Sequence, residues 1–177
     1  GFDYKRVILL GPSHYEYFSG ASLVEAEFYE TPLGKIKIDN CTQELLKNNN
    51  FNHIRLAHVK EHALEVELPF LQSILGEFAL IPLVIGSNTS FQQLQEITKE
   101  IEQYMDEETL LVVSTDFTHY GPNFDYVPFT EKHEAHIAQI DEKAFHLIET
   151  RDAKGFYDYV MDSEVTIDGG SVIPIAL

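Results

Sequence analysis

The chain has 177 residues, 44% of them apolar and 23% charged, the balance of a soluble globular domain long enough to bury roughly 70% of its unfolded surface. Its 29 acidic against 12 basic side chains give a formal net charge of -17, which excludes a nucleic-acid-binding role because nothing would neutralise phosphates. The single cysteine, Cys41, excludes an internal disulfide framework and fits a reducing compartment, and no apolar run approaches the ~18 residues of a membrane span.

In chain order, "RVILL" (6–10) is a short continuous apolar run ending in Gly11-Pro12, the pattern of a strand buried on both faces. "ASLVEAEFYETPLGKIKID" (21–39) partly alternates around Thr31-Pro32-Leu33-Gly34 and reads as short extended pieces joined by a turn. Asp39 is the expected N-cap of a short helix that ends in asparagines by residue 50. "HIRLAHV" (53–59) reads as a second strand. Leucines at 64, 68, 71 and 75 form a helical stripe closed by Gly76, with Pro69 predicting a kink or a late start. "FALIPLVIG" (78–86) is a further buried strand, 90–105 an amphipathic helix capped by Ser90, and "TLLVVSTDFTHYG" (109–121) a strand running into a polar loop. Helices are expected over 130–150 and 152–162. Alternating strands and helices imply an α/β fold, a mostly parallel central sheet with helices on both faces.

Residues 1–177 read as one domain, without internal repeat or linker. No signal peptide precedes the first strand, so a soluble, cytoplasmic protein is expected. The chain opens a few residues before a buried-looking strand and stops within the apolar "SVIPIAL". Natural termini are usually polar and frayed, so an excerpt of a longer domain is expected.

In open parallel sheets the ligand crevice lies beyond the carboxyl ends of the strands. Two strands deliver histidines there: His14 after Gly11-Pro12-Ser13, and His119 within Ser114-Thr115-Asp116-Phe117-Thr118-His119. Imidazole is the commonest neutral metal ligand and a general base near pH 7, and Asp116 can orient a ring or accept from a ligand. "EHALE" contributes Glu61, His62 and Glu65, of which His62 and Glu65, three apart, would share a helix face and could back such a site. Asp168 precedes two glycines and a helix start, where a carboxylate serves either as a cap or as a ligand group. His133, His136 and His146 read as surface residues, and His53 and His58 carry no spacing that implies chemistry. Cys41, inside a helix, is a poor candidate nucleophile. No Gly-rich phosphate loop and no GxSxG elbow is present.

"ILLGPSHYEYFSGASL", "YETPLGKIKID", "EHALEVELPFLQ", "IPLVIG", "VVSTDFTHYGPNF" and "TIDGG" occur in the order seen in Memo-like proteins, which in bacteria and archaea are the B component of the AmmeMemoRadiSam system. The chain resembles that family over nearly its whole length. The resemblance implies the fold shared with class III extradiol (LigB-type) dioxygenases, which are non-haem Fe(II) enzymes. By it, His14 matches a metal-ligand histidine, His119 the acid/base histidine of the dioxygenases, and Asp116 lies in the same pocket. Asp168 falls where many Memo proteins carry a cysteine in a TxCG motif and where the dioxygenases use a glutamate. An aspartate there would restore the two-histidine, one-carboxylate set that suits Fe(II). The family's N-terminal PHAGY motif, whose histidine is another ligand, has no counterpart here. A complete chain would therefore hold metal only weakly, through His14 and Asp168.

The resemblance implies a divalent metal, Fe(II) first, with Cu or Zn as other occupants. Three functions follow: a metal-dependent oxidoreductase acting on a small molecule, a non-enzymatic metal- or peptide-binding module, and a metallohydrolase. It also implies AMMECR1-like and radical-SAM protein partners, and neither nucleic acid nor membrane.

Overall fold

The computed structural model describes residues 3–177. Its elements are, in order, β1 (Arg6–Pro12), β2 (Ala21–Ser22), β3 (Phe28–Thr31), β4 (Gly34–Ile38), α1 (Cys41–Leu45), β5 (Phe51–Asn52), α2 (Leu56–Val59) and α3 (Leu68–Leu75). There follow β6 (Ala79–Ile85), α4 (Phe91–Glu102), β7 (Thr109–Val113), α5 (His133–Glu149), α6 (Ala153–Asp162) and α7 (Ile173–Ala176). Short 3-10 turns at Pro122–Phe124 and Asp168–Ser171 complete it.

Val7, Ile8, Leu9 and Leu10 of β1 are all fully buried. A strand so apolar needs parallel neighbours and cover on both faces, and β1 lies between β6 and β7, parallel to each. The seven-stranded sheet runs β3-β4-β6-β1-β7, with β2 and β5 off that path. It is α/β and mixed: β4–β6 and β2–β5 are also parallel, whereas the β3–β4 hairpin and the β2–β6 pair are antiparallel.

Successive residues of β1 point to opposite faces and feed two cores. Ile8 and Leu10 pack with Ile81, Leu83, Leu94, Ile97 and Val172, under α4 and α7. Val7 and Leu9 pack with Ile36, Ala57, Leu64, Leu68 and Leu80, under α2 and α3. A third cluster, of Ala144, Phe156, Val160, Ile167 and Ile173, joins α5 and α6 to the final turns. Pro82 sits inside β6 opposite Leu9, although proline removes a ladder donor. Leu80 accepts from Asp39 N–H on the β4 side, and two residues later Pro82 faces that same side. There β6 has left β4 at Leu80 and not yet met β2 at Val84, so no partner is deprived.

The expected strand at 53–59 is instead helical: after β5 ends at Asn52 the chain turns into α2. Ser22 Oγ accepts from Ile54 N–H at 3.0 Å, and the N–H groups of Ala57 and His58 bond the carbonyls of Ile54 and Arg55. A short apolar run does not by itself distinguish strand from helical turn. Pro69 gives the late start: α3 opens at Leu68, with Pro69 second in its first turn, and closes at Gly76, whose φ is 77°. Residues 63–67 are therefore turn and 61–62 precede it without regular structure, so the expected His62–Glu65 helix face does not form. Asp39 lies one residue outside the cap position, which Asn40 holds, but its Oδ1 still accepts from Cys41 N–H at 3.0 Å.

Candidate metal centre at the carboxyl edge of the sheet

β1 and β7 are in register from Arg6 opposite Thr109 to Leu10 opposite Val113, so both end at the same edge. Ser114 N–H then bonds Leu10 O at 2.8 Å and Ser13 N–H bonds Ile85 O at 2.9 Å. These bonds fix where the two polar loops leave the sheet.

His14 is held from behind by Glu61. The Glu61 carboxylate accepts from His14 main-chain N–H at 2.8 Å, and its other oxygen lies 2.8 Å from His14 Nδ1. A carboxylate only accepts, so Nδ1 carries hydrogen. His14 Nε2 then lies 3.3 Å from Asp168 Oδ2. Partial burial opposes the imidazolium, but the hydrogen bond and charge of Glu61, with Asp168 adding, outweigh it and raise the His14 pKa. Burial likewise opposes ionisation of Glu61, and the N–H groups of His14 and Ala63 outweigh it, keeping that carboxyl below its ordinary pKa.

Asp168 is anchored through its other oxygen. Oδ1 accepts from Thr115 Oγ1 at 2.8 Å and from Asp116 N–H at 2.7 Å, while Asp168 N–H returns a bond to Asp116 O at 3.3 Å. Its carboxylate thus reaches across to the β7 loop and does not cap its own turn, where no side-chain cap bond forms. His119 is pinned in turn: Nδ1 donates to Thr166 O at 2.8 Å and its main-chain N–H to Thr166 Oγ1 at 2.9 Å. The neutral ring therefore has its lone pair on Nε2, which lies 3.6 Å from Asp116 Oδ2. Phe124 closes over that ring at 4.9 Å, edge to face.

The structure so brings His14 against Asp168, and Asp168 with Asp116 and His119, each of the latter three offering a donor atom within 4.8 Å of the others. A second group meeting the same criterion is His14, Glu61 and His62. Sequence reasoning named Glu61 within EHALE without giving it a role and missed those of Thr115 and Thr166, since nothing in spacing reveals which carboxylate folds under a distant histidine. Glu65 is exposed and belongs to neither group. The site is open: the Asp116 side chain is 80% accessible. A cavity of about 670 Å³ lies elsewhere, beside the amino ends of β1 and β6, lined by Lys5, Lys37 and Phe78 among others. Cys41 stays outside this chemistry; burial, then Asp39, pushes its thiol up to about 12. Among the described residues no helix is long and apolar enough to cross a membrane.

Fold and site together define an α/β protein with a histidine–carboxylate centre at the carboxyl edge of its sheet. The chain belongs to the Memo-like protein family, whose model matches residues 2–177. It is 31% identical to the protein memo-1 homolog of Caenorhabditis elegans over 98% of this chain and 52% of that protein. It is 32% identical to Protein MEMO1 of Homo sapiens, over 98% and 61% respectively. With a MEMO1 family protein of Saccharolobus solfataricus it shares 32% identity over 97% and 58%. The chain therefore spans about half to three fifths of the length of these relatives.

Proposed function

We propose that this chain supplies most of the metal centre of a Memo-like protein, in which His14 and Asp168 hold a divalent cation and His119, beside Asp116, moves protons. The observation that carries this is the 3.3 Å gap between His14 Nε2 and Asp168 Oδ2. With Nδ1 protonated, Nε2 presents a lone pair to an anionic oxygen, and two acceptors that close need a proton or a cation between them. Donors about 3 Å apart are also what two metal–ligand bonds of about 2.1 Å at near right angles require. Both side chains are fixed through their other atoms, so little ordering remains to be done when an ion arrives.

An imidazole and a carboxylate oxygen suit Fe(II) better than a thiolate-selecting ion, with Cu or Zn as other occupants. When bound, a ferrous ion would supply open coordination positions for dioxygen and a chelating small molecule. This chain's residues do the rest. Asp168 and His14 orient the centre, and His119 Nε2 takes a proton from a substrate hydroxyl and returns it, its tautomer set by Thr166. The reaction proposed is oxidative, of the extradiol type, and further donors come from the rest of the full-length protein.

A second reading, a module that docks protein partners of the AMMECR1-like or radical-SAM kind, is favoured by Tyr15 and Tyr17, which stand 55% and 80% exposed on the loop that carries His14. The test is elemental analysis of anaerobically purified full-length protein, with dioxygen uptake on catechol-like chelators. Near-stoichiometric iron, lost in His14→Ala and Asp168→Ala, is expected; full retention in both variants defeats the metal reading. Metal with peptidase or amidase turnover that ignores dioxygen replaces oxidation by hydrolysis. Partner binding that survives a His14→Ala, His119→Ala double variant, with no turnover by the parent protein, selects the docking module.

A further inference from the structure

We infer that Glu61 is a positioning residue that fixes the ring of His14 and is not itself a donor to the ion, an inference resting on the metal-binding reading above. By distance alone two groups compete for a cation, and His14 stands between them. Its Nδ1 faces Glu61 and His62, and its Nε2 faces Asp168. Hydrogen bonding decides between them.

A carboxylate has about four lone-pair directions. At Glu61, Oε2 accepts from His14 main-chain N–H at 2.8 Å. Oε1 accepts from the N–H groups of His62 at 2.9 Å and Ala63 at 3.0 Å, and from His14 Nδ1 at 2.8 Å. Oε1 thus holds three donors and has no direction left for an ion, Oε2 holds one, and the residue is only 4% exposed. A cation at Oε1, the oxygen that lies beside both imidazoles, would have to displace two main-chain donors and the His14 ring, leaving those N–H groups unpaired. His62 adds no comparable hold. Its side chain is 55% exposed, and its Nδ1 sits 3.4 Å from an oxygen already taken. Its ring stands 4.7 Å from that of His14, a wall beside it.

The same four bonds give Glu61 a task. Three main-chain N–H groups, from two distant segments, lock the carboxylate in place. It can then hold the His14 hydrogen on Nδ1 and keep the Nε2 lone pair turned toward Asp168. Carboxylate–imidazole–metal relays of this kind fix tautomer and ring orientation, and losing the carboxylate typically weakens metal binding about 10- to 100-fold. A Gln carboxamide at 61 places an N–H where an acceptor stood. With its NH2 at the Oε1 position it meets the N–H groups of His62 and Ala63 and donates to Nδ1, driving the ring hydrogen to Nε2; with its NH2 at the Oε2 position it meets His14 main-chain N–H and leaves Nδ1 only a neutral, weaker acceptor.

The experiment uses full-length protein, Zn(II) as the diamagnetic probe, and 15N correlation spectra of the histidine rings. In metal-free wild type with neutral His14, a pyrrole-type Nδ1 and a pyridine-type Nε2 are expected, and Zn(II) should shift Nε2 while Nδ1 keeps its hydrogen. Glu61→Gln should weaken Zn(II) binding about 10- to 100-fold, and His62→Ala should change it less than about twofold. An Nε2–H tautomer in the metal-free wild type overturns the inference. So does undiminished Zn(II) affinity in Glu61→Gln, or a His62→Ala loss as large as that of Glu61→Gln. The wild-type spectrum and His62→Ala need no change at 61, so a poorly folded Glu61 variant leaves both decisive. If wild type binds no Zn(II), the metal reading fails by itself, and the metal-free tautomer still decides what Glu61 does.

Discussion

Gly169 follows Asp168 in a place without room for a side chain. A Cβ there would overlap Thr115 Oγ1 and come within 2.7 Å of Ile173 Cδ1. Thr115 is the hydroxyl that donates to Asp168 Oδ1, so the glycine lets the β7 loop approach close enough to anchor the carboxylate. Gly169→Ala should therefore cost about 1–3 kcal/mol of stability by overpacking, and should also weaken metal binding in the full-length protein. Thr115→Ala removes the same donor without the clash and should lower metal affinity with a smaller change in Tm; calorimetry with and without metal separates the two effects. At this scale the sequence was partly legible. His14, Asp116, His119 and Asp168 stood out because they follow apolar strands or precede glycines. Glu61 and Thr166 did not, because what matters about them is contact with residues 47 positions away.

Among the elements, legibility followed the strength of the local signal. β1, β6 and β7 were readable as apolar runs, and α4 as an amphipathic stretch opened by serine. The Ser90–Gln93 pair forms a complete capping box, each side chain bonding the other's main-chain N–H. Ser90→Ala should lower unfolding free energy by about 0.5–2 kcal/mol, measured by denaturant titration. It should leave the metal centre unaffected, because the Ser90 side chain bonds only Gln93 and touches none of His14, Asp116, His119 and Asp168. The weak signals failed. Residues 53–59 alternate too briefly to favour a strand, and Ser22, a residue far back in the chain, takes up the Ile54 N–H and lets the segment turn. That β1 neighbours β7 could only be posed as a condition from sequence, because adjacency in a sheet is a property of topology.

For the molecule as a whole, 29 carboxylates against 12 cations mean that acid removes charge as well as breaking particular bonds, so individual contributions must be isolated by variants. His58 allows this. Burial, then the nearby His53, lowers its pKa from 6.5 to about 4, while its Nε2 contacts Ser22 Oγ at 3.0 Å. Between those values the unfolded chain binds the extra proton and the folded one does not, so stability rises with pH there. The His58 contribution is full above about pH 6.5 and declines as pH falls toward 4. His58→Gln should flatten the fall in Tm between about pH 6.5 and 4.5 relative to wild type; an unchanged slope refutes this. His14, with its pKa raised, acts in the opposite sense: its contribution is present below about 6.5 and lost as pH rises through its folded value.

Asp168 clips to the β7 loop through reciprocal bonds with Asp116, and it lies 154 positions after His14. A ribosome emits the first of these groups long before the last. On the proposed reading, an ion held between these two groups would have to wait until β1, β6 and β7 lie side by side, so loading would finish a completed sheet and would not be the seed around which the chain condenses.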